Sequence, residues 1–269
     1  MIKLLALDID DTLTKGPSSV SPANLAAIRR AQDAGIFVTV ATGRGFLGSS
    51  PIWRTISVHG PVINYGGGIV YDTRTGNILH AASIAPEAIP ELFELAHDLG
   101  VHAQLYQGDT VVYEKENDYA IAYKKFLNLP FLIDPDLIKK RWENVPKVIY
   151  ITEEERAREL IPLLQKRFEG KFKVSGSKAR FVEFNMPNSH KGSALAWVAD
   201  HLGAAQSETA AMGDNLLDIE MLEWAGVSGA VEDGHEEARA AAKVITPRCE
   251  SDGVAWFIDN VVLKGGRDG

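Results

Sequence analysis

The hydrophobic pattern opens on Leu4-Leu5-Ala6-Leu7, a short continuous apolar run that stops at Asp8-Ile9-Asp10-Asp11-Thr12. A run this short, bounded by polar residues, predicts a buried strand of a parallel sheet. If the backbone stays extended past it, Asp8 and Asp10 point the same way, because strand side chains alternate. Thr14 to Ser19 predicts a loop by composition. Ser21-Pro22 predicts an N-cap with proline at the first helical position, and Leu25, Ile28 and Ala31 follow at helical spacing until Gly35. Ile36 to Ala41 predicts a second buried strand, ending at Thr42-Gly43-Arg44-Gly45. Strand, helix and strand make one βαβ unit, whose strands run parallel with their carboxyl ends together. Thr42 therefore lands beside Asp8. Pro61 to Asn64 predicts another strand, leading into Tyr65-Gly66-Gly67-Gly68, which either brings backbone N–H groups to a ligand or forms a plain turn. Ile69 to Tyr71 and Ile78 to His80 flank Asp72 to Asn77 as a β-hairpin.

From Pro86 the pattern changes. Ile89, Leu92, Phe93, Ala96 and Leu99 make a helical stripe ended by Gly100. His102 to Gln107 and Val111 to Tyr113 predict strands around Gly108-Asp109, and Tyr119 to Leu127 a helix. Val148 to Ile151 predicts a strand, after which Thr152 and Glu155 form a capping box for a helix that buries Leu160, Ile161 and Leu164. Phe172 to Val174 and Phe181 to Phe184 predict a strand pair around Gly176. Paired strands mixed with helices, without steady βαβα alternation, predict an α+β insert. It is placed at residues 86–187, between core segments 1–85 and 188–269.

The first style then resumes. Asn188 to Gly192 opens a helix with Leu195, Val198 and Leu202 on one face, and Thr209 to Gly213 is a small-residue strand ending at Asp214. Ile219 to Trp224 predicts a helix, Val227 to Val231 a strand, Glu236 to Ala242 a helix, Lys243 to Pro247 a last strand, and Val254 to Leu263 a closing helix before a frayed tail, Lys264 to Gly269. The fold class is α/β: a doubly wound, mostly parallel sheet with an inserted α+β domain.

Composition narrows the function. The chain has 269 residues, 45% hydrophobic and 24% charged, as a folded globular protein has. A formal net charge of −8 argues against a nucleic-acid partner, which needs a basic surface. No apolar run approaches the roughly 20 residues of a membrane span, and Met1-Ile2-Lys3 enters the first strand with no signal peptide. The single cysteine, Cys249, allows no internal disulfide, so a cytoplasmic location is expected. Cys249 reads as a small side chain near a surface turn, not as a nucleophile.

Strand ends and helix starts carry Asp8, Asp10, Asp11, Thr42, Lys191, Asp214 and Asp218. Ligands of open parallel sheets bind at the carboxyl ends of the strands. Carboxylates such as Asp8 and Asp214 suit Mg²⁺, a hard cation held by one or two carboxylates plus substrate phosphate. Lys191 at a helix N-terminus offers a charge for phosphate, beside free N–H donors. Thr42 adds a hydroxyl. One aspartate as nucleophile and one as acid/base complete the parts needed for phosphoryl transfer. His190 reads as a surface or capping residue, and Tyr65, Tyr106, Tyr113 and Tyr123 as half-buried core residues.

These residues also carry a resemblance. Asp8-Ile9-Asp10-Asp11-Thr12 resembles the first motif, Asp-x-Asp-x-Thr, of the haloacid-dehalogenase-like (HAD) superfamily. Ala41-Thr42-Gly43-Arg44, His190-Lys191-Gly192 and Gly213-Asp214-Asn215-Leu216-Leu217-Asp218 are similar to its second, third and fourth motifs in the Cof-type, type IIB capped, phosphatases. The resemblance implies a Rossmann-like core with an inserted cap. It implies that Asp8 attacks phosphorus and becomes an aspartyl-phosphate, and that Asp10 protonates the leaving alcohol and then activates water. Mg²⁺ would bind the Asp8 carboxylate, the Asp10 backbone carbonyl and Asp214, with Asp218 as a nearby ligand. Thr42, Gly43 and Lys191 would hold the phosphoryl oxygens. Asp11 would contribute little beyond its backbone N–H. Two departures stand out. Leu217 occupies a place where the family usually has Asn. Val231-Glu232-Asp233-Gly234 replaces a loop that is often Met-Gly-Asn-Ala, so Asp233 either lies in a solvated turn or biases the site against polyanions. The expected function is a Mg²⁺-dependent phosphatase for a small phosphorylated metabolite, such as a sugar phosphate. The alternatives are a sugar-phosphate phosphotransferase or mutase, and a non-catalytic phosphate-binding regulator.

Overall fold

The structure, a computed structural model, describes residues 1–16, 19–126, 129–176 and 178–264, with the side chain of Phe126 left aside. The expectations at Pro17, Ser18, Leu127 and the tail from 265 onward lie outside the described residues. The chain forms two compact units, Met1–His80 with His190–Gly269, and Ala81–Ser189.

In the first unit β1 (Leu4–Leu7) pairs in parallel with β2 (Phe37–Val40) across α1 (Pro22–Asp33). Ser21 caps α1, its Oγ accepting the Asn24 N–H at 3.1 Å, with Pro22 in the first turn. The buried face is Asn24, Ala27, Ile28 and Ala31, so Leu25 is only half-buried. Asn24 can occupy that face because its carboxamide oxygen accepts the Ala255 N–H at 2.9 Å. The helix α2 (Phe46–Thr55) was not legible in the pattern: Gly48, Ser49, Ser50 and Pro51 interrupt any apolar period, although Ile52 and Trp53 are buried. The strand β3 (Pro61–Asn64) joins β4 (Ile69–Asp72) and β5 (Ile78–Ala81) in a separate three-stranded sheet, antiparallel between β3 and β4. A single parallel bridge from Ile63 to Ala41 ties it to the end of β2. The glycine stretch between β3 and β4 is a turn. Gly67 has φ +101°, and a Cβ there would lie 2.2 Å from the His190 carbonyl oxygen. Close approach to protein backbone, not to a ligand, requires this glycine.

The second unit contains α3 (Ile89–Leu99), β6 (His102–Gln107), β7 (Thr110–Tyr113), α4 (Asp118–Phe126) and β8 (Phe131–Ile133). It continues with β9 (Lys147–Ile151), α5 (Glu154–Arg167), β10 (Lys173–Ser175) and β11 (Phe181–Asn185). The sheet order is β10-β11-β9-β6-β7-β8, antiparallel except for parallel β7 and β8. Phe93 and Leu92 of α3 and Leu160 and Leu164 of α5 share a core with Tyr150, Val182 and Phe184 of the sheet. Two details differ from expectation. The strand β8 is the apolar triplet Phe131–Ile133, too short a run to mark a strand by itself, and two of its three residues are exposed. Thr152 does not cap α5: the N-cap is Glu153, without a side-chain bond. Thr152 still belongs to the strand edge, where its N–H donates to the Arg180 carbonyl and its own carbonyl accepts Arg180 Nε.

The first unit resumes with α6 (Lys191–His201), β12 (Thr209–Gly213), α7 (Ile219–Trp224), β13 (Val227–Val231), α8 (Glu236–Ala241), β14 (Val244–Thr246) and α9 (Gly253–Phe257), which runs on as a wider turn over Ile258–Val262. The sheet order is β14-β13-β12-β1-β2, all parallel. This is the doubly wound α/β fold, with β12 central and β1 between β12 and β2. Leu195 and Val198 are buried, whereas Leu202 is the C-cap of α6 and 38% exposed, because the helix ends before its turn reaches the core.

The Gly67 contact yields a stability prediction. Replacing Gly67 by Ala combines a positive φ with a backbone clash, and should cost about 2–4 kcal/mol. Gly66 has φ +65° but open space around it, so its replacement by Ala should cost about 1 kcal/mol. Thermal unfolding midpoints of the two variants check this; equal midpoints would contradict the packing described.

Candidate active site

The end of β1 delivers Asp8, whose N–H donates to the Met212 carbonyl on neighbouring β12 at 2.9 Å. The end of β12 delivers Asp214. A short 3-10 turn, Leu216–Asp218, returns Asp218 beneath it. Asp218 Oδ2 accepts the backbone N–H groups of Asp214 at 3.0 Å and Asn215 at 2.9 Å. Gly213 makes this approach possible, since a Cβ there would lie 2.5 Å from Asp218 Cγ. Lys191, the first residue of α6, reaches in from the helix N-terminus. Its Nζ donates to Asp8 Oδ1 and to Asp218 Oδ1, each at 2.5 Å. Thr12 Oγ1 donates to Asp214 Oδ1 at 2.7 Å. Asp8, Asp214, Asp218 and Lys191 are all buried.

One carboxylate oxygen from each of Asp8, Asp214 and Asp218 lies within 4.8 Å of the others, the one such group among the described residues. Fully ionised, three carboxylates beside one ammonium leave an excess of two negative charges. Burial pushes the Asp8 pKa well up; Lys191 opposes this, while Asp218 and Asp214 add repulsion. Burial likewise pushes Asp214 up to about 6, against the Thr12 hydrogen bond. Burial works against the Lys191 ammonium, but Asp218 and Asp8 outweigh it and hold its pKa above the usual lysine range. An oxygen-rich, over-negative pocket of this kind is what a hard divalent cation relieves.

The other anticipated residues lie around this cluster in different ways. Thr42 is buried at the end of β2, its Oγ1 accepting the Arg44 N–H at 3.1 Å. Gly43 follows it; a Cβ there would stand 3.9 Å from Leu217 Cδ1. Asp10 does not share the Asp8 pocket through its carboxylate. The backbone leaves the extended conformation, bridging Asp10 to Thr14 and turning at Asp11 with φ +60°. The Asp10 carboxylate is half-exposed and paired with Arg44. Asp11 forms a surface pair with Lys15 at 3.1 Å.

Thr12 and Arg44 acquire partners that residue types alone did not assign to them; both stood inside recognisable motifs, which was the only signal. His190 is the N-cap of α6, its Nδ1 accepting the Ser193 N–H at 3.2 Å. Tyr65, Tyr106, Tyr113 and Tyr123 are buried more completely than half. Cys249 is buried, and burial pushes its thiol up to about 11. Leu217 is 57% exposed. Asp233 accepts the Cys249 N–H at 3.3 Å and lies 3.6 Å from Lys15, so its charge is partly offset. The loop that carries Asp233 also braces the site: the His235 N–H donates to the Asp214 carbonyl at 2.7 Å.

No helix among the described residues is long and apolar enough to cross a membrane. Comparison with known proteins adds ancestry to this geometry. A family model described as haloacid dehalogenase-like hydrolase matches residues 5–258. The chain is 26% identical to a 5-amino-6-(5-phospho-D-ribitylamino)uracil phosphatase of Bacillus subtilis, covering 95% of this chain and 96% of the relative. It is 25% identical to a pyridoxal phosphate phosphatase of Escherichia coli, covering 95% and 97%. The crystal structure of a haloacid dehalogenase-like hydrolase from Bacteroides thetaiotaomicron superposes with a TM-score of 0.84 at 26% identity, over 97% of this chain and 100% of that one. With the match running from residue 5 to residue 258 of 269, the chain belongs to the haloacid dehalogenase-like hydrolase family.

Proposed function

We propose that this chain is a Mg²⁺-dependent phosphatase that hydrolyses small phosphate monoesters through an aspartyl-phosphate on Asp8. The observation that carries this reading is the buried contact of Lys191 with both Asp8 and Asp218, set beside Asp214. It assembles a nucleophile, a fixed cation for phosphoryl oxygens and a carboxylate cluster on one strand edge. The two named relatives act, by their names, on small phosphate monoesters, which supports a small phosphorylated metabolite as substrate. The insert, residues 86–187, is read as the cap that selects the leaving group. The single cysteine, Cys249, fits a cytoplasmic workplace.

The residues divide the chemistry. Asp8 attacks phosphorus as the ester oxygen departs, and Asp10 gives that oxygen its proton. Asp10 then takes a proton from water as the water oxygen bonds to phosphorus and the Asp8–phosphorus link breaks. Lys191, the Thr42 hydroxyl and Gly43 hold the phosphoryl oxygens. Asp8, Asp214 and the Asp10 backbone carbonyl would hold Mg²⁺, with Asp218 beside them. The ion supplies charge neutralisation for the phosphoryl group.

The protein should release phosphate from p-nitrophenyl phosphate with Mg²⁺ and stop when EDTA is added. Asp8→Asn should lower kcat by on the order of 10³-fold or more with circular dichroism unchanged; undiminished turnover would refute the nucleophile assignment.

The pKa of Asp214 generates a second test. Its folded value of about 6 lies above the ordinary 3.8, so the metal-free fold binds an extra proton between these values. In that window this group adds stability as pH falls and loses it as pH rises through about 6. The same proton competes with a bound cation. The rise in Tm on adding Mg²⁺ should therefore be full near neutral pH and shrink below about 6. A Mg²⁺-induced shift that does not change with pH would contradict a metal site at Asp214.

A further inference from the structure

Arg44 grips both oxygens of Asp10. Its Nε donates to Oδ2 at 2.9 Å and its Nη2 to Oδ1 at 2.5 Å. The remaining terminal nitrogen, Nη1, donates to the Gly48 carbonyl of α2 at 3.3 Å. The main chain that carries this fork is held as well. The Arg44 N–H donates to Thr42 Oγ1, and its carbonyl accepts the Tyr65 N–H at 3.0 Å and Asn64 Nδ2 at 3.1 Å. Asn64 is itself fully buried and donates to Ser49 Oγ at 2.9 Å.

An isolated ion pair between free surface side chains is worth little, because holding two long chains in one geometry costs entropy. A planar fork whose main chain is held and whose third nitrogen is tied to Gly48 is different: it sets the direction of the carboxylate it holds. Asp10 needs such a support. Its side chain is 52% exposed and sits just before the turn at Asp11, with no other side-chain partner among the described residues. Each carboxylate oxygen that accepts one Arg44 bond keeps further lone-pair capacity for a leaving group or water.

We propose that Arg44, anchored by Asn64, is the positioning residue of Asp10, and sets the geometry in which Asp10 transfers protons. The proposal rests on the reading of Asp10 as the acid/base and adds no chemical step to it. The proton still passes between Asp10 and the ester or water oxygen, and Arg44 stays protonated throughout.

Leaving groups separate this role from a structural one. Departure of p-nitrophenolate needs little help from a general acid, whereas departure of an alkoxide needs much. The quantity to read is kcat/KM, which reports the steps through loss of the leaving group. It should be measured for p-nitrophenyl phosphate and for whichever alkyl phosphate of a panel is turned over fastest. In Arg44→Gln, and in Arg44→Lys, which keeps the charge but not the fork, kcat/KM should fall about 10- to 100-fold for the alkyl phosphate and less than about threefold for p-nitrophenyl phosphate. Asp10→Asn should show the same selectivity. Adding Arg44→Gln to Asp10→Asn should cost nothing further, because the two residues act as one unit. Equal losses on both substrates, additive losses in the double variant, or a gain in rate would each overturn the proposal. If Asp10→Asn is selective and Arg44→Gln is not, only the positioning role falls. If Asp10→Asn shows no selectivity, the acid/base reading falls and takes this proposal with it.

Discussion

A buried ammonium between two buried carboxylates sets the terms for the rest of this molecule. Lys191 is 2% exposed and bonded to Asp8 and Asp218, neither of which has solvent to fall back on. Removing one partner of such a group leaves an uncompensated buried charge, a loss of several kcal/mol by general experience. The fold therefore has to bring three separate pieces of chain together closely and hold them there. β1 and β12 do so by lying side by side in parallel, so that their carboxyl ends coincide. Two glycines remove the obstacles. Gly213 admits Asp218, and Gly192 lets α6 sit against the Glu220 carbonyl, which a Cβ would meet at 2.5 Å. Lys191 can then enter from the first turn of its helix.

That arrangement leaves a division of labour between inside and outside. The buried cluster is over-negative and fixed, and on the proposed reading it would hold a cation and present Asp8 to phosphorus. Asp10 stands apart from it, half-exposed and held by Arg44. If Asp8 is the nucleophile proposed, burial and rigid placement serve it, and if Asp10 exchanges protons with an alcohol and with water, access to solvent serves that. Two aspartates separated by one residue acquire opposite environments because the chain leaves the strand after Asp8 and turns at Asp11, bridging Asp10 to Thr14.

How much of this was legible in the sequence follows from the same physics. Asp8, Thr42, Lys191, Asp214 and Asp218 sit where a parallel strand ends or a helix begins, and parallel topology alone gathers such positions on one edge. The structure brings Asp8, Lys191, Asp214 and Asp218 into one cluster. The direction of the Asp10 carboxylate was not legible, because it depends on backbone torsions after the strand, where alternation ceases to apply. The helix α2 was hidden by its glycine, serines and proline, and β8 by its length of only three residues. Thr152 failed as a cap because strand pairing to Arg180 fixed its backbone before the helix could begin. Each miss is a place where a tertiary contact, not local propensity, decided the outcome.

The central claim is that Asp8 carries the phosphoryl group in transit. It is tested most directly in Asp10→Asn protein mixed with p-nitrophenyl phosphate and Mg²⁺, acid-quenched during reaction and analysed by mass spectrometry of the peptide containing Asp8. Without Asp10 to activate water, the acyl phosphate should persist, so one phosphoryl group is expected on Asp8. Release of p-nitrophenolate over several turnovers with that peptide unlabelled, or with the phosphoryl group on another residue, would contradict the account.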